Sequence, residues 1–201
     1  EAQVLRARLR QVDEVVLTDD ERNQMVAILR AYKGAADSLY AGKVDRLLLR
    51  MGDSESITNA VRAMSEGSPV QRLEVPEELA RSKQPAVVAA LAADLLVDEP
   101  IRPHLVGGDV RITPRSVSAM QIINQILVES DLFPKELNAW ARSLNAVKVH
   151  KRRELIRSWW NFNQEAMRNG DYMSTRPLSD EEQSLQSTDL NPPHRPVRRI
   201  D

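Results

Sequence analysis

The chain has 201 residues, of which 42% are hydrophobic and 28% are charged, and its formal net charge at pH 7 is −1. This composition is ordinary for a protein that buries a substantial core. The near-neutral charge leaves no global field to concentrate nucleic acid or acidic lipid, so an electrostatic partner would have to meet a local patch. The chain lacks cysteine, which excludes disulfides, thiolate metal sites and thiol nucleophiles.

The sequence starts at Glu1, so we expect either a processed N-terminus or a piece of a longer chain. No apolar run approaches the ~20 residues that span a bilayer, so we predict no transmembrane segment.

Helical patterns dominate residues 1–67, which we predict to be an N-terminal helical region. The first helix is indicated by one narrow apolar stripe, formed by Leu5, Leu9, Val12 and Val16. Thr18 and Glu21 have the spacing of a capping box that opens a second helix, in which Met25, Ile28, Leu29 and Tyr32 recur at helical intervals. Two further apolar faces predict helices near 37–51 and 54–65.

Residues 68–84 contain Pro69 and Pro76, and we predict a connector there with at most one helical turn. Residues 85–173 are predicted to form a helical core. Its first helix, which Pro85 opens, is apolar almost all round, so we expect it to be the buried central helix.

Two later helices of this core are indicated by the prolines that precede them. Thr113-Pro114 opens one, and Pro134 opens another. The second either runs on continuously or kinks near Asn145, and it stops at Gly170. Both alternatives fit the apolar spacing.

The remaining segments favour extended structure. Two short runs near 104–112 flank Gly107-Gly108 and predict one tight β-hairpin. Residues 174–201 are rich in proline and poor in large apolar residues, and we predict an extended docking tail, with one short helix behind a capping box of Ser179 and Glu182. The fold class is therefore mainly α, a multi-helix body with at most one short β-hairpin and an extended C-terminal tail.

The stretch Val147–Gln164, VKVHKRRELIRSWWNFNQ, combines a basic cluster with three aromatic residues. Its helix would be amphipathic and basic. It could pack its aromatics inside the protein, contact nucleic acid or lie on a membrane surface. We favour packing, with a basic face that touches something acidic if anything. The candidate nucleic-acid residues, within a basic helix over 148–157, are Lys148, Lys151, Arg152, Arg153 and Arg157.

Trp159 and Trp160 are adjacent, and adjacent side chains on a helix point about 100° apart. We therefore expect one of the two rings to meet a second surface, such as a neighbouring subunit. The candidate interface residues are these two tryptophans together with Phe162, Arg195, Arg198 and Arg199.

No pattern of catalytic residues is visible. The three histidines, His104, His150 and His194, have no partners at metal-ligand spacing, and no phosphate-binding glycine motif occurs. Asp98-Glu99, with Arg102 and His104 nearby, is the only acid/base cluster that can be imagined, and we interpret it as the polar end of a buried helix. We predict no catalytic, cofactor-binding or metal-binding residues and no cofactor.

These patterns predict a non-enzymatic structural or assembly subunit of a larger complex, for which a virus- or phage-like particle is one setting. Its partners would be protein subunits of the same or a different kind, bound through helical surfaces and the tail, and we expect an oligomer or part of a larger complex. The location would be the cytoplasm or such a particle. The alternative is a nucleic-acid-binding or packaging accessory protein that uses the basic helix.

Overall fold

The computed structural model describes residues 18–35, 38–97, 104–106, 109–111 and 114–183. The chain is mainly α-helical, as predicted. Several sequence-based predictions lie outside the described residues: the stripe of Leu5, Leu9, Val12 and Val16, the turn at Gly107-Gly108, the charged residues Asp98, Glu99 and Arg102, and the tail residues His194, Arg195, Arg198 and Arg199.

The N-terminal part of the described chain is a helical hairpin with a small core of its own. Helix α1 (Asp19–Ala35) packs against α2 (Ser38–Arg50). The buried residues of this core are Leu29, Val44, Leu48 and Met51. The predicted capping box is confirmed, because the Glu21 backbone N–H donates to Thr18 Oγ1 at 3.3 Å and the Thr18 N–H donates to Glu21 Oε2 at 2.9 Å.

Asp53 joins this hairpin to the rest of the chain. It is the buried N-cap of helix α3 (Ser54–Glu66), and its Oδ2 accepts the Ser56 backbone N–H at 2.9 Å. Its Oδ1 accepts from the Arg30 guanidinium of α1. Burial raises the pKa of the Asp53 carboxyl, but the hydrogen bonds from Ser56 and the pair with Arg30 outweigh it, so the pKa lies below its ordinary value.

The prediction of a connector over 68–84 with at most one helical turn is wrong, because helix α4 (Pro69–Arg81) occupies most of it. Ser68 caps this helix in a reciprocal box with Gln71, and Pro69 lies in the first turn, where its missing N–H costs nothing. Pro76 lies inside the helix. The helix continues through it because the following turn is anchored in the core by Leu79 and Ala80, both buried, so packing outweighs the local cost of proline.

Besides Leu49, Ile57, Met64 and Leu79 of α2 to α4, the main core lies among the helices that follow. They are α5 (Pro85–Leu91) with a 3₁₀ helix (Ala92–Leu96), α6 (Arg115–Glu129), α7 (Lys135–Ser143) with a 3₁₀ helix (Leu144–Ala146), and α8 (Val149–Arg168), followed by a 3₁₀ helix (Tyr172–Ser174). The expected burial of α5 is confirmed, since Val87, Val88 and Leu91 are fully buried. Of the two alternatives for the last helices, the break near Asn145 is the one observed, and α8 ends just before Gly170.

Two three-residue strands, β1 (His104–Val106) and β2 (Asp109–Arg111), pair antiparallel, with Leu105 opposite Val110. They lie in the two runs that the sequence indicated. The residues between them are not among those described, so the hairpin as a whole stays a prediction. Throughout the part of the chain that the structure describes, no helix is long and apolar enough to cross a bilayer.

The position of Pro76 gives a prediction about stability. Replacing Pro76 with alanine restores a backbone N–H that can donate to the Arg72 carbonyl, and it removes the proline ring from the helix interior. We therefore expect the free energy of unfolding to rise by about 1–3 kcal/mol. Urea denaturation measures this change. Pro69→Ala in the same helix is the control, because a first-turn N–H has no acceptor within the helix. Equal effects of the two substitutions would contradict the prediction.

Candidate docking site on helix α8

Both tryptophans of α8 are buried within the chain. Trp159 is 0% exposed and Trp160 is 9% exposed, and both belong to the main core. The expectation that one of the rings meets a second surface is therefore wrong. The reason is that α8 is covered in more than one direction, by α5, α6 and the 3₁₀ helix Ala92–Leu96 and also by the 3₁₀ helix Tyr172–Ser174. Two rings 100° apart can thus both reach protein interior.

Two arginines of the predicted nucleic-acid face donate to backbone carbonyls of other segments of the same chain. The Arg152 guanidinium donates to the backbone carbonyls of Asn145 at 2.8 Å and Val147 at 3.2 Å. Arg157 donates to the carbonyl of Leu95 at 2.6 Å. These cations therefore act as hydrogen-bond donors to carbonyl oxygens in the irregular segments around α8. Buried carbonyl oxygens of this kind need a donor from a side chain or from water, because no backbone donor of a regular element is available to them.

The other members of that predicted face are placed differently. Arg153 donates to the hydroxyl of Ser116 at 3.2 Å and lies beside Glu154. Lys151 is half-buried, while Lys148 is exposed at the start of α8. The structure thus brings the five predicted residues onto one helix, but it turns the guanidiniums of Arg152, Arg153 and Arg157 toward the protein.

Two buried side chains of α8, Trp159 and Asn163, hold an extended segment of the chain. After Gly170, where φ is +73°, the chain reverses and runs back along the helix. The side chain of Asn163 clamps the main chain of Arg176: its Oδ1 accepts the Arg176 N–H at 2.9 Å and its Nδ2 donates to the Arg176 carbonyl at 3.1 Å. The indole N–H of Trp159 donates to the same carbonyl at 3.1 Å. Three hydrogen bonds therefore fix one residue of the segment.

Side chains strengthen this attachment. Thr175 and Leu178, on either side of the clamped residue, are buried. The Arg176 guanidinium lies over the ring of Phe162, 4.1 Å from its centroid, and Phe162 is otherwise exposed (54%). Residues 174–183, which the sequence placed in the tail, therefore pack against the body as far as the structure describes them.

Glu182 closes the segment. Its carboxylate pairs with both terminal nitrogens of Arg176, at 2.8 and 3.0 Å, and accepts the Ser179 backbone N–H at 2.7 Å. The hydrogen bond from Arg176, with that from the Ser179 amide, lowers the pKa of Glu182 to about 2. The Glu182 N–H returns a bond to Ser179 Oγ at 3.3 Å, which confirms the predicted capping box.

Sequence reasoning missed Asn163. The signal that could have found it is its place four residues after Trp159, on the apolar side of an amphipathic helix, where a polar side chain needs an internal partner. Asn163 is buried, and its Nδ2 also donates to the Trp159 carbonyl at 2.9 Å.

The acid/base cluster considered in the sequence analysis, around Asp98-Glu99, lies outside the described residues. Asp98, Glu99 and Arg102 fall outside the described residues, and only the backbone of His104 is described, in β1. His150 is exposed in the first turn of α8. Among the residues that are described, no group of three or more histidine or acidic side chains could hold a metal ion.

Comparison of the chain with protein-family models, with curated proteins and with solved structures finds no match.

The clamp can be tested by Asn163→Leu, which keeps the number and branching of the side-chain heavy atoms and removes the hydrogen bonds. We expect the free energy of unfolding to fall by about 1–3 kcal/mol, because the Arg176 N–H loses its acceptor and the Arg176 carbonyl keeps only the Trp159 indole N–H as a donor. Urea denaturation measures it, and Asn161→Leu, at an exposed position of the same helix, is the control. A loss of stability no larger than that of the control would contradict the assigned role.

The structural role of the arginines gives a second prediction. Arg157→Met keeps most of the apolar stem but leaves the carbonyl of buried Leu95 without its donor, so we expect a loss of about 2 kcal/mol in the free energy of unfolding. Lys148→Met, at the exposed start of the helix, should change it by less than about 0.5 kcal/mol. Thermal and urea unfolding measure both variants. An unchanged free energy of unfolding in Arg157→Met would show that this guanidinium does not stabilise the fold.

Proposed function

We propose that the protein is a non-enzymatic assembly subunit of a larger complex, which binds its partners through helical surfaces and its C-terminal tail. The observation that carries this proposal is the clamp on α8, where a helix of this chain holds an extended segment by its main-chain groups. Binding of extended peptide segments through main-chain hydrogen bonds is a common mode of protein–protein recognition.

The docked segment also supports the proposal by its position. Residues 184–201 follow directly after it in the sequence, so the chain that precedes this part of the proposed docking tail is held at a fixed anchor. A tail that starts at a fixed point loses less conformational freedom when it binds a neighbour. Arg195, Arg198 and Arg199 near its end give it a cationic tip that suits an acidic partner surface.

Exposed apolar side chains supply the helical surfaces of this proposal. Phe162 and Val149 lie at the surface of α8, and Leu96 lies exposed at the end of the 3₁₀ helix against which α8 packs. Aromatic and aliphatic residues at such positions are typical anchors of protein interfaces. The virus- or phage-like setting stays a prediction from composition.

Nucleic-acid binding through residues 148–157 has less support from the geometry. Neutralising phosphates needs cations that are free to approach them. The guanidiniums of Arg152 and Arg157 already donate to backbone carbonyls at 2.6–3.2 Å. Binding phosphate with these groups would leave those carbonyls unsatisfied.

The proposal is tested by light scattering after size-exclusion chromatography, on the full chain and on a chain truncated after residue 183. We expect the full chain to form a multimer free of nucleic acid, and the truncated chain to have a lower mass with the same far-ultraviolet circular dichroism. The truncation keeps every described residue, so the body should be unchanged.

Two outcomes would count against this function. A monomer in both forms that also captures no protein partner would remove the assembly role. A full chain that carries nucleic acid until the salt concentration is raised would favour the alternative, since phosphate contacts weaken steeply with salt.

A further inference from the structure

A cavity of about 670 Å³ lies between helix α1 and the main body of the protein. Its walls come from five separate parts of the chain: α1, the turn from α2 to α3, the start of α5, the turn between α6 and α7, and the 3₁₀ helix Tyr172–Ser174. Small-molecule sites typically have volumes of roughly 300–1,000 Å³ and lie where separate structural units meet. The cavity therefore has the size and the location of a ligand site.

Helix α1 gives the cavity one continuous wall. The residues of α1 that line it are Arg22, Asn23, Val26, Ala27 and Arg30. At 100° per residue these positions cover an arc of about 140° around the helix, and the two arginines at the ends lie about 12 Å apart along its axis. The wall thus has a cation at each end and small or apolar side chains between them.

The two cations of this wall differ in what they contact. Arg30 is paired with Asp53, which also lines the cavity. Arg22 is half-buried, and within the described ranges its guanidinium has no hydrogen-bond or ion-pair partner. Two arginines and one aspartate give the lining a net charge of +1, and the charge left over is that of Arg22. A partly desolvated cation without a partner favours the binding of an anion.

The wall on the side of the main body is apolar. Leu132 lines the cavity and is 41% exposed. Tyr172 lines it as well, and its ring packs edge-on against the buried ring of Phe133 at a centroid distance of 6.0 Å, which fixes its orientation. A ligand with an apolar body would remove part of this surface from water.

The end of the cavity at the α2–α3 turn is held in place by contacts within the chain. Gly52 has a φ of +77°, and a Cβ at this position would come within 3.0 Å of Gln84 Oε1. The Gln84 side-chain amide donates to the Arg50 carbonyl at 2.5 Å. A wall that is already ordered lowers the entropic cost of binding a ligand.

We propose that this cavity binds a small organic anion that carries one negative charge, such as a carboxylate, joined to an apolar body. The acidic group contacts the guanidinium of Arg22, and the apolar body lies between α1 and the side chains of Leu132 and Tyr172. One negative charge matches the net charge of the lining. The bound ligand would join α1 to the main body beside the Arg30–Asp53 pair, and this role is independent of the proposed assembly function.

Two fluorescent probes with the same aromatic body test the charge that the site prefers. Anilinonaphthalene sulfonate carries one negative charge, and phenylnaphthylamine carries none. In titrations of the full chain we expect saturable binding of the anionic probe, with a Kd that rises about three- to tenfold in Arg22→Gln, because hydrogen bonds from a guanidinium to an anion are among the stronger ones. The Kd of the neutral probe should stay nearly the same. Arg168→Gln, at an exposed position of α8 outside the cavity, removes the same charge and is the control.

A second pair of variants tests the location of the site without changing the charge. Ala27 lines the cavity and is exposed, so Ala27→Trp should fill the space without disturbing the core, and it should weaken both probes at least about fivefold. Gln24→Trp, at an exposed position of α1 that does not line the cavity, should leave both Kd values unchanged. Far-ultraviolet circular dichroism checks that each variant is folded.

Three results would overturn the proposal. The first is the absence of saturable binding of the anionic probe. The second is an equal loss of affinity in Arg22→Gln and Arg168→Gln, which would reflect the overall charge of the protein. The third is unchanged binding of both probes to Ala27→Trp, which would place the probes elsewhere on the molecule.

Discussion

The structure depends on one helix that supplies hydrogen-bond donors to the irregular segments around it. From helix α8, Arg152 donates to carbonyls that follow α7, and Arg157 donates to a carbonyl near the end of the 3₁₀ helix 92–96. Asn163 and Trp159 of the same helix donate to the carbonyl of residue 176. Each of these segments ends a regular element and leaves carbonyl groups without partners in their own element. Because α8 satisfies them, the core can bury the ends of its helices.

This arrangement explains why a basic, aromatic sequence lies inside a nearly neutral protein. The long apolar stems of the arginines pack along the core while their charged ends reach carbonyl groups at its edge. The aromatic rings fill the space between them, with Trp159 meeting Phe133 edge-on at 6.5 Å. The guanidiniums of Arg152, Arg153 and Arg157 in this basic pattern make hydrogen bonds within the chain.

Much of the helical architecture could be predicted from the sequence, because periodicity and caps are local signals. The capping boxes at Thr18 and Ser179 and the burial of Val87 and Val88 needed no knowledge of distant residues. The helix through Pro76 could not be predicted in the same way, since its stability depends on the packing of Leu79 and Ala80 against other helices.

The candidate site was harder to predict, because its partners are far apart in sequence. Arg157 and the Leu95 carbonyl are separated by 62 residues, and Asn163 and Arg176 by 13. No spacing rule within a helix reveals such a pair. The two tryptophans show the same limit: side chains that point about 100° apart around a helix suggest two surfaces, but the sequence does not say that both surfaces belong to one chain.

The link between Arg30 and Asp53 has a consequence for how the protein comes apart. The small core of Leu29, Val44, Leu48 and Met51 is distinct from the main core, which α2 also reaches through Leu49, and one carboxylate both caps α3 and pairs with α1. A carboxyl whose pKa is depressed in the folded state stabilises that state above its unfolded pKa, and this stabilisation is lost as the pH falls through the folded value. Acid below pH 3.8, the ordinary pKa of this carboxyl, should therefore loosen α1 from the start of α3 first and leave the aromatic core around α8 native.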